Sequence, residues 1–213
     1  MTFTRRRTLD AEFRSALPDM PISDSGEIHG YGAVFNQRTR IREAGGAFLE
    51  SVTPGAFTKT LAERMGKIAM QYNHGQDPKV GTLPIGVWDE ISQDSHGLAM
   101  RGRLLDTAAA QEVRSAIKAG ALTGMSFRFE VMNEIWRDRA TGEQIDSDRA
   151  YSMLGDSEPR LLRELTAVRL YEVGPVLQPA YETTSVGARA EDIPVDTIEI
   201  QTRLRLALAQ LDN

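Results

Sequence analysis

Thr123-Gly124-Met125-Ser126-Phe127-Arg128-Phe129, continued by Glu130 and Val131, alternates apolar with polar side chains at the two-residue period of a strand. Met125, Phe127, Phe129 and Val131 share one face, and Ser126, Arg128 and Glu130 share the other. A lone hydroxyl therefore leaves the core and points at whatever lies opposite. Upstream, Ile68, Met70, Tyr72 and His74 alternate in the same way and end at a turn from Gly75 to Pro78. A serine and a histidine at strand ends suggest a nucleophile and its base. Each also has an ordinary reading, since serines on polar strand faces are commonly solvated and single histidines commonly satisfy a local hydrogen bond.

The composition narrows the class. With 213 residues, 41% of them hydrophobic, the chain can bury one substantial core and is short for two, so one domain with frayed ends is expected. No apolar run is long enough for a membrane span. Arg5–Arg7 is a cluster of three arginines with no apolar stretch after it, so a secretory signal is not expected. The absence of cysteine excludes disulfides and thiolate metal sites and suits a reducing cytoplasm. A net charge of −5 argues against nucleic-acid binding by the domain as a whole, and the arginine cluster reads as a solvated tail.

Along the chain, residues 1–26 mix charge, Pro18 and Pro21 and predict a flexible lead-in. Ile28–Phe35 reads as a first strand, with Gly30 and Gly32 permitting tight packing or a bulge. Phe48–Val52 is a short strand, and Thr53 followed by Pro54 predicts a capped helix over Pro54–Arg64 with Phe57, Leu61 and Met65 on one face. Val80–Glu90 and Leu98–Leu105 predict a strand pair. Asp106 or Thr107 caps a second helix with Val113 and Ile117 on its buried face and Gly120 as its stop. Residues 138–160 are polar and predict a mobile excursion, and Leu165–Val176 predicts a central strand that Pro179 ends. Many short strands and two helices point to a mostly β protein, a β-barrel with helical cover.

Glu50-x-Val52-x-Pro54-Gly55-Ala56-Phe57, then Asn73-His74, Gly97-Leu98, Gly124-Met125-Ser126-Phe127, and Glu172-Val173 with Val176, Pro179 and Ala180 follow one another in the order found in the prohead maturation proteases of tailed bacteriophages. The resemblance covers roughly residues 27–187, and those proteases are similar to herpesvirus assemblins. It implies a compact β-barrel surrounded by helices (α+β), a serine-peptidase mechanism without a cofactor, and a dimer. It also implies substrates and partners among scaffold protein, the major capsid protein and the enzyme's own termini. The setting implied is an assembling procapsid in the host bacterial cytoplasm, with neither a membrane nor a specific nucleic acid as partner. Residues 1–26 are then the lead-in, 27–187 the protease domain, and 188–213 a linker and a C-terminal helix. Ile198, Leu204, Leu206, Leu208 and Leu211 make that helix amphipathic, and it serves as a tether, is removed by self-cleavage, or packs on its own domain.

By this resemblance Ser126 matches the nucleophile and His74 the general base. Glu172 is the candidate third member, because a carboxylate on the far imidazole nitrogen fixes the tautomer. The alternative, that Glu172 pairs with Arg169 or Arg128, stands beside it. Glu172 is preferred to Glu164 because Leu170, Tyr171, Val173 and Val176 surround it, and a buried carboxylate needs a partner. Arg128 stands where relatives often carry glycine, and Gly174 where they often carry serine. Arg128 shares the face of Ser126 and is a candidate substrate-binding residue, with a surface ion pair as the simpler reading. Two rival classes are a non-catalytic scaffold or capsid-assembly protein of the same fold, and a metal site at His29, His74, His96 and Asp77 or Asp94. The histidines lack the short ligand spacings of a metal site, so no metal is expected.

Overall fold

The computed structural model describes residues 12–16, 26–43, 45–155 and 158–177. Two sheets carry the fold. The larger has strands in the order β1 (Glu12–Ala16), β7 (Gly124–Asp138), β9 (Leu161–Val176), β4 (Gly46–Val52) and β3 (Thr39–Glu43), with β8 (Gln144–Ile145) paired to the far end of β7. The smaller has the order β2 (Glu27–Val34), β6 (Gly97–Leu104), β5 (Gly86–Gln93). Helices α1 (Thr58–Arg64), α2 (Ala108–Lys118) and α3 (Ser147–Ser152) complete the set.

The apolar faces meet in one core. Ile28, Leu98 and Met100 of the small sheet pack with Phe127, Phe129, Leu170 and Val173 of the large one. Phe127 and Phe129 stack at 5.1 Å, and each buried ring contributes roughly 2 to 3 kcal/mol of transfer free energy. The sheets approach closely at Gly32, where a Cβ would meet Met100 Sδ at 2.5 Å and Val173 Cγ1 at 3.1 Å. The pairing of β2 with β6 also shifts register between Tyr31 and Ala33, so Gly32 supplies both the bulge and the tight packing expected of this strand.

The architecture is mostly β with a few helices, as expected, but the closed barrel is not found among the described strands. Among the described residues the strand pairing that links the sheets is limited to isolated bridges, Phe35 to Val52, Ala69 to Glu172 and Met70 to Gly86. The physical reason lies in the run expected to be a strand up to His74. Ala69 and Met70 bridge β9 on one side and β5 on the other, but Asn73 and His74 then adopt left-handed backbone (φ 47° and 57°), which ends any ladder. Instead of sealing the two sheets together, the chain leaves them as a short 3₁₀ turn, Tyr72–Gly75.

Other expectations shift locally. The first helix starts at Thr58 rather than Pro54, because Gly55 is left-handed (φ 88°) and the Thr53 hydroxyl donates to the Leu165 carbonyl of β9 at 3.0 Å instead of capping. Met65 is 46% exposed and does not join the core face of Phe57. The second helix matches: Thr107 Oγ1 accepts from Ala110 N, Val113 and Ile117 are buried, and Gly120 is left-handed.

Residues 138–160 are not the unstructured excursion expected. Trp136, Ile145, Ala150 and Leu161 join Ile41 and Phe48 in a second core, Asp146 caps α3, and only 156 and 157 within that stretch lie outside the described residues. Hydrogen bonding from Ala140 N and the Arg160 guanidinium holds the Asp138 carboxyl below the usual carboxylate range. Within the expected lead-in, Glu12–Ala16 forms a strand antiparallel to β7; the rest of residues 1–25, and the proposed tail after 187, lie outside the described residues.

Candidate active site

β7 and β9 run antiparallel with Ser126 opposite Gly174 and Arg128 opposite Glu172. Directly opposed residues of an antiparallel pair project to the same face, so Ser126, Arg128, Glu172 and Gly174 form one patch. What lies opposite Ser126 covers it rather than leaving it solvated: it is 2% exposed. The cover comes from the segment before His74. A Cβ on Gly174 would run into the Gln71 carbonyl, so glycine at this position is what lets the chain cross beside the serine. Gln71 is held there by its side-chain Nε2, which donates to the Thr82 carbonyl at 2.6 Å.

Beyond Gln71 the Tyr72–Gly75 turn packs on β7 and β9. Two successive non-glycine residues in left-handed backbone store strain, of order 1 kcal/mol or more each, which surrounding contacts must hold. Gln76 N donates to the Asn73 carbonyl at 2.9 Å and closes the turn. The turn presents the His74 imidazole to β9, where Nδ1 donates to Glu172 Oε2 at 2.8 Å. The His74 side chain is 11% exposed and that of Glu172 0%. With the proton on Nδ1, the neutral ring keeps Nε2 as its acceptor, the form a general base requires.

Glu172 is fixed by its backbone: Ala69 N donates to the Tyr171 carbonyl and Val173 N to the Ala69 carbonyl, at 3.1 and 3.0 Å. Burial pushes the Glu172 carboxyl above the usual carboxylate range, and the His74 hydrogen bond and the charges of His74 and Arg128 oppose that rise. Of the partners considered for Glu172, Arg169 is engaged elsewhere, donating to Glu130 at 3.3 Å. Glu164 accepts from Arg137 Nε at 2.7 Å, far along the same strand pair. His74 and Glu172 are therefore brought together, as expected, and Glu164 is not.

The metal alternative has no geometric basis among the described residues, where no cluster of three or more His, Asp or Glu could hold an ion. His96 packs edge-on to Tyr31 at 4.5 Å, Asp94 accepts from the Tyr31 hydroxyl and two backbone amides, and Asp77 caps the backbone of Lys79 and Val80. No helix among the described residues is long and apolar enough to cross a membrane.

Sequence patterns did not reveal that Gln71, Asn73 and Gly174 build the site's cover. The adjacent Asn73, His74 and Gly75, residue types tolerant of left-handed backbone, were the available signal. A recess of about 210 Å³ opens beside the turn, with Tyr72, Val80, Val113, Ala116 and Leu122 in its wall. Glu50 of the upstream motif lies elsewhere, accepting from Arg163 Nη1 at 3.0 Å in the second core.

Residues 15–195 match the profile of the caudovirus prohead serine protease family. The chain belongs to that family. It is similar to the prohead protease of Enterobacteria phage HK97, with 29% identity over 182 residues that span 84% of this chain and 68% of that protein. A weaker structural likeness joins it to the bacteriophage T4 capsid assembly protease, at TM-score 0.42 and 12% identity over 79% of this chain and 98% of that one. The expectation of a phage prohead protease is borne out by the family match and the relative. The match reaches beyond residues 27–187 at both ends.

Proposed function

We propose that this chain is a serine endopeptidase of procapsid maturation, with Ser126 as nucleophile, His74 as general base and Glu172 as the carboxylate that orients His74. The observation that supports this reading best is the part-buried 2.8 Å pairing of His74 Nδ1 with Glu172, on the strand-pair face that also carries Ser126. Ser126 Oγ attacks the scissile carbonyl as His74 Nε2 takes its proton, giving a tetrahedral oxyanion. Collapse expels the amine, which leaves with the proton from His74, and an acyl-enzyme remains on Ser126. Water, deprotonated by His74, then releases the acid and restores the serine. Glu172 stays ionised through the cycle and stabilises the imidazolium that forms twice in it.

The proposed substrates are scaffold protein or an extension of the major capsid protein, together with the enzyme's own termini, cut inside the assembling procapsid in the host bacterial cytoplasm. The recess at Tyr72 and Leu122 adjoins the His74 turn and offers space for a substrate side chain. The proposal keeps 27–187 as the protease domain, an assemblin-like homodimer as the working unit, and no cofactor. The test incubates purified protein with candidate scaffold and capsid precursors, with and without a chelator, beside Ser126→Ala. Cleavage by wild type, unaffected by the chelator and absent in the variant, is expected. Cleavage by Ser126→Ala, or its loss to the chelator, overturns the assignment, and inertness of the wild type favours an assembly protein without catalysis.

A further inference from the structure

Arg128 and Glu172 are direct cross-strand neighbours, and each keeps a buried polar atom that meets no partner among the described residues: Arg128 Nε and Glu172 Oε1. Side chains at such positions have Cβ atoms roughly 4.5 to 5.5 Å apart, well within electrostatic reach. The register between the strands shifts just after Arg128, a bulge that locally re-aims side chains on β7. A half-buried arginine whose Nε meets no partner among the described residues and a half-satisfied buried carboxylate on adjoining strands are each costly alone, and their proximity offsets part of that cost.

The geometry points to Arg128 as the positioning residue that keeps Glu172 charged for His74, a role that rests on the reading of His74 and Glu172 as base and orienting carboxylate. Among the described residues, Glu172 accepts one side-chain hydrogen bond, from an imidazole that is neutral for part of the catalytic cycle. Burial alone favours a protonated Glu172, and a protonated Glu172 neither holds His74 Nδ1–H nor stabilises an imidazolium. A guanidinium stays charged at every relevant pH, so it counters that burial even when His74 is neutral.

The other charged groups near this patch, among the described residues, are engaged elsewhere. From α1, Arg64 lies over the Tyr171 ring and donates to the Leu170 carbonyl. Within the strand pair, Arg169 and Glu130 engage each other. Past the turn, Lys79 pairs with Glu112 at 2.7 Å and Asp77 caps backbone amides. Among the described residues, His74 and Arg128 are the groups that act on the Glu172 carboxyl against burial.

The direction of the effect follows. A fixed positive charge disfavours an added proton on the His74 and Glu172 pair, so removing it raises the pair's proton affinity. The experiment labels the three histidines with ¹⁵N in a Ser126→Ala background, assigns His74 by its loss in His74→Ala, and titrates the imidazole by NMR. Arg128→Gln is expected to raise by about half a pH unit or more the midpoint at which the His74 and Glu172 pair takes up its first proton, read at the His74 ring nitrogens as imidazolium or as loss of the Nδ1–H bond to a carboxylate, and Arg128→Lys to return it toward wild type. Arg128→Met, which keeps the apolar stem, serves if the glutamine variant fails to fold. In the active background the acid limb of kcat/KM moves to higher pH with Arg128→Gln while the high-pH plateau is largely kept. An unmoved midpoint of the pair overturns the inference, and a KM change or a uniform loss of activity accompanying it assigns Arg128 to substrate contact or to folding. The titration needs no turnover, so its outcome stands even if Ser126→Ala proves fully active and the peptidase reading falls.

Discussion

Glu50 and Glu172 are both fully buried at 0% exposure, yet they sit in opposite electrostatic company. Glu50 accepts from Arg163, whose guanidinium also donates to Glu134 at 2.6 Å and lies over the Phe48 and Trp136 rings. That cluster is anchored by a permanent cation that hydrogen-bonds its carboxylates and stacks on aromatic faces, an arrangement suited to holding structure. Glu172 instead bonds an imidazole that gains and loses its charge and, among the described residues, keeps one oxygen without a partner and has a permanent cation only across the strand. A carboxylate held that loosely responds to a proton arriving next to it. Buried charge by itself therefore does not mark a site; what distinguishes Glu172 is that its compensation is titratable and incomplete.

The largest expected effect lies at the imidazole. His74→Ala should lower turnover by about 10⁴-fold or more with little change in the unfolding midpoint, and adding Ser126→Ala should make it no worse, because members of one catalytic unit are not additive. A double variant far less active than either single, measured on the same capsid substrate, would break the unit apart.

The next pair of variants sharpens the contrast between the two carboxylates. Glu172→Gln should cost about 10²- to 10⁴-fold in turnover with the fold kept. Its stability should hold or rise near neutral pH. A raised carboxyl stabilises the fold fully only below the ordinary carboxylate range and loses that contribution as pH climbs through the raised value, and glutamine has no such loss. Arg163→Met should do the reverse, costing about 3 to 5 kcal/mol in denaturant unfolding by stranding Glu50 and Glu134, while the folded fraction keeps its turnover. Equal losses of stability in both variants would erase the distinction.

The smallest effect is expected at Glu164, whose bond to Arg137 is partly exposed, with side chains 24% and 37% accessible. Glu164→Gln should change turnover less than twofold and stability by under about 1 kcal/mol.

Much of this was readable from residue order. The alternation of Met125, Phe127 and Phe129 located the central strand, Thr107 and Gly120 bounded α2, and the apolar neighbours of Glu172 marked it over Glu164 as the carboxylate needing a partner. What escaped depends on contacts between distant segments. The burial of Ser126 follows from Gly174 admitting the Gln71 backbone, a relation no local pattern contains. Alternation at Ile68, Met70 and Tyr72 argued for a full strand, but left-handed Asn73 and His74 ended it, leaving the barrel open where the site forms. Thr53 looked like a cap because its competing acceptor, the Leu165 carbonyl, is 112 positions away. The ordering of 138–160 rests on a few apolar residues, Ile145 and Ala150 within the polar stretch and Leu161 just beyond it, which meet Phe48 and Trp136 only in three dimensions.

The most direct measurement treats the protein with a fluorophosphonate, which phosphonylates an activated serine, and maps the adduct by peptide mass. A single adduct on the Ser126 peptide is predicted in wild type, forming more slowly as His74 becomes protonated and absent from folded His74→Ala. An adduct on any other serine, or equal labelling of Ser126 when His74 is replaced, would contradict the assignment of Ser126 as a nucleophile activated by His74 and Glu172.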